Sequence, residues 1–217
     1  MNSLPKLTVF VLCSLIALAL CSDVKAQSQQ NKPLKQDYAS YPNWQLPAQL
    51  MQGPFEQSKT TPYLRRPLKS SGILTVNTQQ GVLWNTEKPI KSMMVLGNKA
   101  VVNIDSQGQI KTVAGASDLN LVFVNAMVGN WAALSEHFAL SLQHQAGKPC
   151  VTLTPIGGIS AKTLKHIEAC GSKTAINQLT LQEQGGATTK IALQLAPLEA
   201  LSAKQQQLYH IASKVEE

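Results

Sequence analysis

Residues 69–95 of this 217-residue chain read KSSGILTVNTQQGVLWNTEKPIKSMMV, and this stretch decides the fold. Three short runs of apolar and β-branched residues are separated by turn signals at residues 79–81 and at Lys88-Pro89. That spacing indicates three antiparallel strands in a meander. Pro89 is predicted to end the strand that carries Trp84, because proline has no N–H to donate to a central strand. The stretch contains no histidine and no cysteine, so it predicts a wall and not a catalytic centre.

The strand pattern extends outward from this stretch in both directions. Strand-like runs begin at Phe55 and resume at Phe138 after a central interruption, with a turn at Gly185-Gly186 before the last of them. The segment PIGGISAKT, residues 155–163, is predicted to be a hairpin loop, because it lacks the glycine spacing of a phosphate-binding loop.

Helices are predicted in three places. Residues 44–51 form a short helix that Gly53-Pro54 ends. In the central interruption, apolar residues from Leu119 to Met127 recur at helical spacing, with Asp118 as a cap and Gly129-Asn130 as the end. A second short helix follows to Leu134, and the polar tail carries a final one.

So few helical residues provide no thick second layer for one long antiparallel sheet, whose inner face must be covered. A strongly curved sheet solves this problem and leaves space inside. We therefore predict the α+β class: an incomplete, strongly curved antiparallel β-barrel of about 10–11 strands, with short helices lying over an apolar cavity.

The first 26 residues are predicted to be a signal peptide, cleaved after Ala26. Their apolar run covers residues 7–20, which is shorter than the ~20 residues that span a bilayer. A lipoprotein signal ending at Cys21 stays open as an alternative. Residues 27–43 are predicted to be a flexible lead-in, and residues 44–217 a single domain.

The formal net charge is +7, and removal of the signal peptide lowers it to +6. The basic residues are scattered except for one cluster, Arg65, Arg66 and Lys69. Scattered charge on an exported chain argues against nucleic acid as a partner. The cluster is either a solvated loop or a contact for lipid phosphates or a membrane-bound partner.

Two cysteines, Cys150 and Cys170, lie outside the signal peptide. If the strands around them form a hairpin across residues 156–162, positions whose numbers sum to about 320 face each other, and these two sum to 320. Opposed strand residues lie within disulfide range. A cross-strand disulfide is predicted, with two buried thiols as the alternative.

Catalytic and metal-binding motifs are absent from the sequence. The four histidines, His137, His144, His166 and His210, are dispersed, and no G-x-S-x-G elbow occurs. The chain is therefore predicted not to be an enzyme and to need no metal or cofactor.

Motif residues in the first half of the chain and a series of strands in the second half occur in an order that a known protein family shares. The matching positions in the first half are Phe55, Gln57, Lys59, Gly81, Leu83, Trp84 and Pro89. In the second half, the strand series of residues 138–193 continues the similarity. In order and spacing, these residues resemble the LolA-like outer-membrane lipoprotein carrier family.

The resemblance implies an incomplete barrel with a helical lid over an apolar cavity, and a carrier that shuttles lipid-modified proteins across the periplasm. The implied partners are lipoprotein or lipid cargo, an inner-membrane donor complex and an outer-membrane acceptor; the carrier is expected to be a monomer. Well-studied members hold the lid closed with a strand arginine, whereas Arg65 and Arg66 lie in a predicted loop. The chain therefore resembles a divergent branch, whose cargo is either lipoprotein or another lipid.

The predicted binding residues are apolar side chains of the sheet and of the central helix. They are Leu74, Val76, Leu83, Trp84, Met93, Met94, Phe123 and Met127. Met93 and Met94 should point to opposite faces, as should Leu83 and Trp84. Each of these residues also fits ordinary core packing. Two further functions remain open: a lipid-binding sensor that does not release its cargo, and a hydrolase acting on lipid.

Overall fold

The computed structural model describes residues 37–97, 100–105, 107–113 and 117–214, without the side chains of residues 117–121 and 159–160. The predicted signal peptide, its cleavage site and Cys21 lie outside the described residues. None of the helices in the described ranges has the length and hydrophobicity needed to span a bilayer.

The described residues contain twelve strands and four helices. The strands are β1 (Leu50–Thr60), β2 (Leu68–Asn77), β3 (Gly81–Lys88), β4 (Ser92–Gly97), β5 (Val101–Ile104), β6 (Ile110–Thr112), β7 (Phe138–Gln145), β8 (Lys148–Pro155), β9 (Leu164–Gly171), β10 (Ile176–Glu183), β11 (Thr188–Leu193) and β12 (Ala196–Pro197). The helices are α1 (Ser117–Met127), α2 (Trp131–Ser135), α3 (Gly158–Thr163) and α4 (Ala203–Lys214).

All strands belong to one antiparallel sheet in the order β6-β5-β4-β3-β2-β1-β11-β10-β9-β8-β7, and β12 pairs with β1 beside β11. The sheet is curved and unclosed, with β6 and β7 at its two edges. In the sequence, α1 and α2 lie between these two edge strands. The predicted unclosed, curved and mostly antiparallel sheet with a few short helices is confirmed. It has twelve strands where about 10–11 were predicted, and the shortest of them, β12, has only two residues.

We call the face that carries Phe55, Leu74 and Trp84 the inner face. Side chains from both halves of the sheet form one buried cluster here with α1, α2 and the segment before β1. Helix α1 contacts β3 and β4, whereas α2 contacts β7. The two helices therefore cover different parts of the inner face: α1 covers the half that contains β3 and β4, and α2 covers the edge at β7.

The segment before β1 is tied to the inner cluster by two tryptophans. The indole of Trp44 is fully buried and donates to the carbonyl of Ser172 at 2.8 Å. The indole of Trp131 donates to the carbonyl of Pro42 at 3.0 Å, and the two tryptophan rings meet edge-on at 5.3 Å. These contacts order the chain before the sheet begins; the boundary of the lead-in at residue 43 stays a prediction.

The predicted helix over residues 44–51 is wrong. Leu50 and Met51 already belong to β1, and Gly53 and Pro54 pair with β2 inside it. A Cβ atom on Gly53 would lie 1.8 Å from the carbonyl oxygen of Gln194, so this close crossing of β11 towards β12 requires glycine. Pairing on both sides of the strand outweighs the weak helical spacing of the apolar residues.

The central helices are confirmed, with changes at their ends. Helix α1 begins at Ser117, so Asp118 lies inside it and not at its cap. Gly129 follows the helix with a φ of +64°, as a helix-ending glycine does. The Asn130 side chain then caps α2 by accepting from the N–H of Ala133. The predicted loop at residues 155–163 instead contains the short helix α3.

The predicted disulfide is present. Cys150 and Cys170 pair directly across β8 and β9, at the predicted register. The Glu168 carboxylate and the two sulfur atoms lie within 4.8 Å of one another. Because the sulfurs are bonded to each other, they offer no thiolate to a metal.

The opposite, outer face carries a second buried cluster that the sequence did not predict. Helix α4 packs on β3 and β4, and its Leu208, Tyr209 and Ala212 join Leu83 and Val95 there. The Tyr209 hydroxyl lies 3.3 Å from the carbonyl oxygens of Thr75 and Gly81. Helix α4 therefore anchors residues 203–214 to the outer face of the sheet.

We expect Tyr209→Phe to lower the free energy of unfolding by about 1 kcal/mol, the net contribution of a buried hydrogen bond. Burial raises the pKa of the Tyr209 hydroxyl above its ordinary value. The unfolded chain therefore loses this proton first, near pH ~10, and the stability that the protonated hydroxyl provides declines above that pH. Urea midpoints of the two proteins should converge as the pH rises past ~10. A difference that is constant with pH would contradict this account.

Candidate functional site

The candidate site is a pocket of about 440 Å³ on the inner face, beside α1. Most of its lining residues lie near the end of the sheet where β1, β3 and β10 end and where β4 and β11 begin, which we call the tip end; Leu96 and Val113 lie towards the other end. The lining residues are Gln57, Lys59, Trp84, Thr86, Ser92, Met94, Leu96, Asn103, Val113, Phe123, Leu181, Thr189 and Ile191.

Three aromatic rings pack in a row beside the pocket, and two of them, Trp84 and Phe123, line it. The Trp84 ring meets Phe55 edge-on at 4.9 Å and Phe123 of α1 at 5.2 Å. Trp84 is 7% exposed, so it packs in the core and also lines the pocket. Because Phe123 is the α1 side chain in this row, any movement of α1 changes the pocket wall.

The rest of the pocket wall is partly polar. Lys59 donates to the Glu183 carboxylate at 2.6 Å, and both side chains are about one-third exposed. Gln57, Ser92 and Asn103 add uncharged polar groups. Within the described residues, the inner face therefore shows a compact core and a mixed pocket, and does not show the continuous apolar cavity that was expected.

The predicted binding residues divide between the two faces. Trp84, Met94 and Phe123 line the inner pocket. Leu74, Val76 and Met127 are buried in the inner cluster around it. Leu83 and Met93 instead belong to the outer cluster under α4, where both line a separate pocket of about 400 Å³. The prediction that the two methionines, and likewise Leu83 and Trp84, point to opposite faces is confirmed.

The sequence analysis did not predict that the C-terminal strands β10 and β11 contribute side chains to the pocket wall. Leu181 and Ile191 reach the pocket because β11 pairs with β1, which places β10 and β11 next to the first strand. Strict alternation in Leu179–Leu181 and Thr189–Leu193 indicated one buried face. No local signal indicated which strand would lie beside them.

The basic cluster lies outside this pocket. Arg65 and Arg66 are exposed in the loop between β1 and β2, as predicted. Lys69, near the start of β2, faces a groove on the outer face together with Lys88 and Lys190.

The sequence from residue 47 to residue 205 matches the family model described as outer membrane lipoprotein carrier protein LolA. Because the match covers most of the chain, the protein belongs to the LolA family. No curated protein sequence matches it.

Two solved structures are similar to this chain. A LolA superfamily protein from Nitrosomonas europaea is 8% identical, with a TM-score of 0.45 over 76% of this chain and 93% of that one. A DUF1329 family protein from Desulfovibrio piger is 13% identical, with a TM-score of 0.43 over 72% of this chain and 88% of that one. The family assignment rests on the sequence match.

Proposed function

We propose that this protein is a periplasmic carrier that binds acyl chains of lipoproteins or of other lipids and hands them towards the outer membrane. The observation that carries the proposal is the pocket at Trp84, Met94 and Phe123, beside a helix, in a member of a lipoprotein carrier family. Its volume of about 440 Å³ falls within the range of about 300–1,000 Å³ that small-molecule sites occupy.

Hydrophobic burial is the proposed driving force. An acyl chain gains ~0.8 kcal/mol for each methylene that leaves water, so a long chain gains on the order of 10 kcal/mol before ordering costs. A long chain needs more apolar wall than the pocket offers. Phe123 and Met127 of α1 are buried against the inner face, and their displacement would extend the apolar wall towards Leu74 and Val76.

Delivery of the cargo follows from relative affinity. An inner-membrane donor complex would load the carrier, and an outer-membrane acceptor with higher affinity would unload it. The carrier is proposed to work as a monomer, without a cofactor and without catalysis. The polar residues that line the pocket, such as Gln57, Lys59 and Asn103, suit the glycerol or peptide portion of a lipidated cargo, which retains hydrogen-bonding groups.

Lipid analysis of the native protein tests the proposal. Protein purified from the periplasm without detergent is expected to carry lipid that mass spectrometry identifies, and to bind a fluorescent fatty acid. The identity of the bound lipid distinguishes a lipoprotein carrier from a carrier of other lipids. A protein that carries no lipid and binds no fatty acid would refute the proposal, and ester hydrolysis by pure protein would favour an enzyme instead.

Two neighbouring methionines provide a matched pair of variants. Met94→Trp fills the inner pocket, whereas Met93→Trp places the same added volume on the outer face under α4. We expect the first to weaken fatty-acid binding at least tenfold, and the second to leave it within about twofold. Equal effects of the two variants would show that the inner pocket is not the binding site.

A further inference from the structure

Two neighbouring hairpin tips carry large apolar side chains that no part of the described chain covers. Tyr63 is 88% exposed and Leu64 49% exposed in the loop between β1 and β2. Leu68, the first residue of β2, is 56% exposed, and Ile90, between β3 and β4, is 72% exposed. Because β2 pairs with β3, with Ser71 opposite Lys88, the two tips lie side by side.

The apolar side chains are concentrated at one end of the sheet. Seven large hydrophobic side chains are exposed among the described residues. Six of them lie at the tip end: the four just named, Ile110 at the start of β6, and Ile156 after the end of β8. Single exposed hydrophobic residues are ordinary, but the four on the two adjacent tips indicate a binding surface, whereas Ile110 and Ile156 stand apart near the two edges of the sheet.

The same two tips are strongly basic. Arg65, Arg66, Lys69, Lys88 and Lys91 are exposed within or beside them. Residues 61–69 and 88–91 contain no acidic residue, and one exposed acid, Glu87, directly precedes Lys88. We call this set the tip surface: the four apolar side chains Tyr63, Leu64, Leu68 and Ile90 with these five basic residues.

We propose that the tip surface docks the protein onto an anionic lipid bilayer. Apolar side chains at projecting tips enter the interfacial region of a membrane, while arginine and lysine around them contact lipid phosphates. A tyrosine suits the boundary between headgroups and acyl chains, since one end of its ring is polar. Arginine forms paired hydrogen bonds with phosphate oxygens.

A lipid surface fits this composition better than an acidic protein does. Protein interfaces are depleted of lysine and form a continuous packed patch. The tip surface instead has three lysines, and its apolar groups stand at separate tips. A fluid bilayer accommodates such separate points without requiring complementary shape.

Docking in this orientation brings the inner pocket close to the membrane. Lys59, Thr86 and Ser92 line the pocket within two residues of these same hairpins. Cargo would then pass between pocket and bilayer over a short path. Docking itself does not depend on the proposed function: vesicle binding without fatty-acid binding would refute the carrier proposal and leave this inference standing.

Vesicle co-sedimentation tests the inference. The purified protein is expected to bind vesicles made of equal parts phosphatidylglycerol and phosphatidylcholine at least tenfold more tightly than vesicles of phosphatidylcholine alone. Added salt should weaken the binding, because the charges involved are exposed. Failure of the protein to bind the anionic vesicles would overturn the inference.

Two variants and one control separate docking from general charge attraction. Tyr63→Ser/Ile90→Ser and Arg65→Gln/Arg66→Gln should each weaken vesicle binding about tenfold or more. Lys148→Gln/Lys173→Gln also removes two exposed positive charges, but at the opposite end of the sheet. Equal weakening by this control would overturn the inference. All of these positions are exposed, so circular dichroism should show unchanged folding.

A fluorescent probe reports whether the tip enters the bilayer. With Tyr63→Trp, the emission of the new indole should shift to shorter wavelength on anionic vesicles and be quenched by brominated acyl chains. If the emission of the Tyr63→Trp variant stayed unshifted on anionic vesicles, the tip would not enter the bilayer and the inference would be overturned. Binding of polyglutamate through Arg65 and Arg66 in a protein that ignores vesicles would identify an acidic protein site instead, and would equally overturn the inference.

Discussion

Trp84→Ala is expected to lower the free energy of unfolding by about 3–5 kcal/mol, the usual cost of removing a large buried aromatic side chain. Trp84 is 7% exposed and is the middle ring between Phe55 of β1 and Phe123 of α1. Its loss leaves both neighbouring rings without an edge-on partner and opens a cavity between sheet and helix. Urea unfolding followed by circular dichroism measures the effect.

Two further variants serve as references for the loss of stability expected of Trp84→Ala. Trp84→Phe keeps an aromatic ring between the two neighbours, so it should cost less than half as much. Tyr63→Ala removes an aromatic ring that is 88% exposed and should change stability by no more than about 0.5 kcal/mol. If Trp84→Ala were as mild as Tyr63→Ala, the aromatic row would not hold α1 against the sheet.

The second large effect concerns the disulfide between Cys150 and Cys170. The bridge closes a loop with a sequence separation of 20, and a loop of that length stabilises a fold by about 3 kcal/mol through restriction of the unfolded chain. Cys150→Ala/Cys170→Ala should therefore unfold at clearly lower urea concentration than the native protein.

A reducing agent provides the control for this prediction. It should lower the urea midpoint of the native protein towards that of the double variant and leave the double variant unchanged. Thiol titration confirms that reduction has occurred. A native midpoint that stays the same after complete reduction would show that the hairpin of β8 and β9 holds its register without the bridge.

Local signals in the sequence predicted most of the sheet. The turn at Gly185-Gly186 and the strand-ending Pro89 defined strand ends, and the register of Cys150 opposite Cys170 followed from residue numbers alone. Each of these features depends on residues close together in the chain. Alternation also predicted that Met93 and Met94 face opposite sides.

Contacts between elements that are far apart in the sequence could not be predicted from such local signals. Alternation does not say which methionine faces the pocket, because that depends on the helix that covers each side. The outer cluster under α4 had one signal: continuous apolar runs such as Val82–Trp84 indicate a strand buried on both faces. The α4 residues that meet it, Leu208 and Tyr209, stand in a largely polar segment, so the helix itself gave little indication of a partner.

The position of β1 in the middle of the sheet decides the order in which this fold is completed. Its neighbours are β2, the next strand in the chain, and β11, whose Thr188 carbonyl meets the Thr60 hydroxyl across 128 residues. One edge of β1 therefore has no strand partner until residues near the end of the chain are available. An exposed strand edge is a site of wrong pairing, and distant pairing is slow. The folding of this protein should therefore finish late, and the interval before β11 arrives is when the chain most needs protection from aggregation.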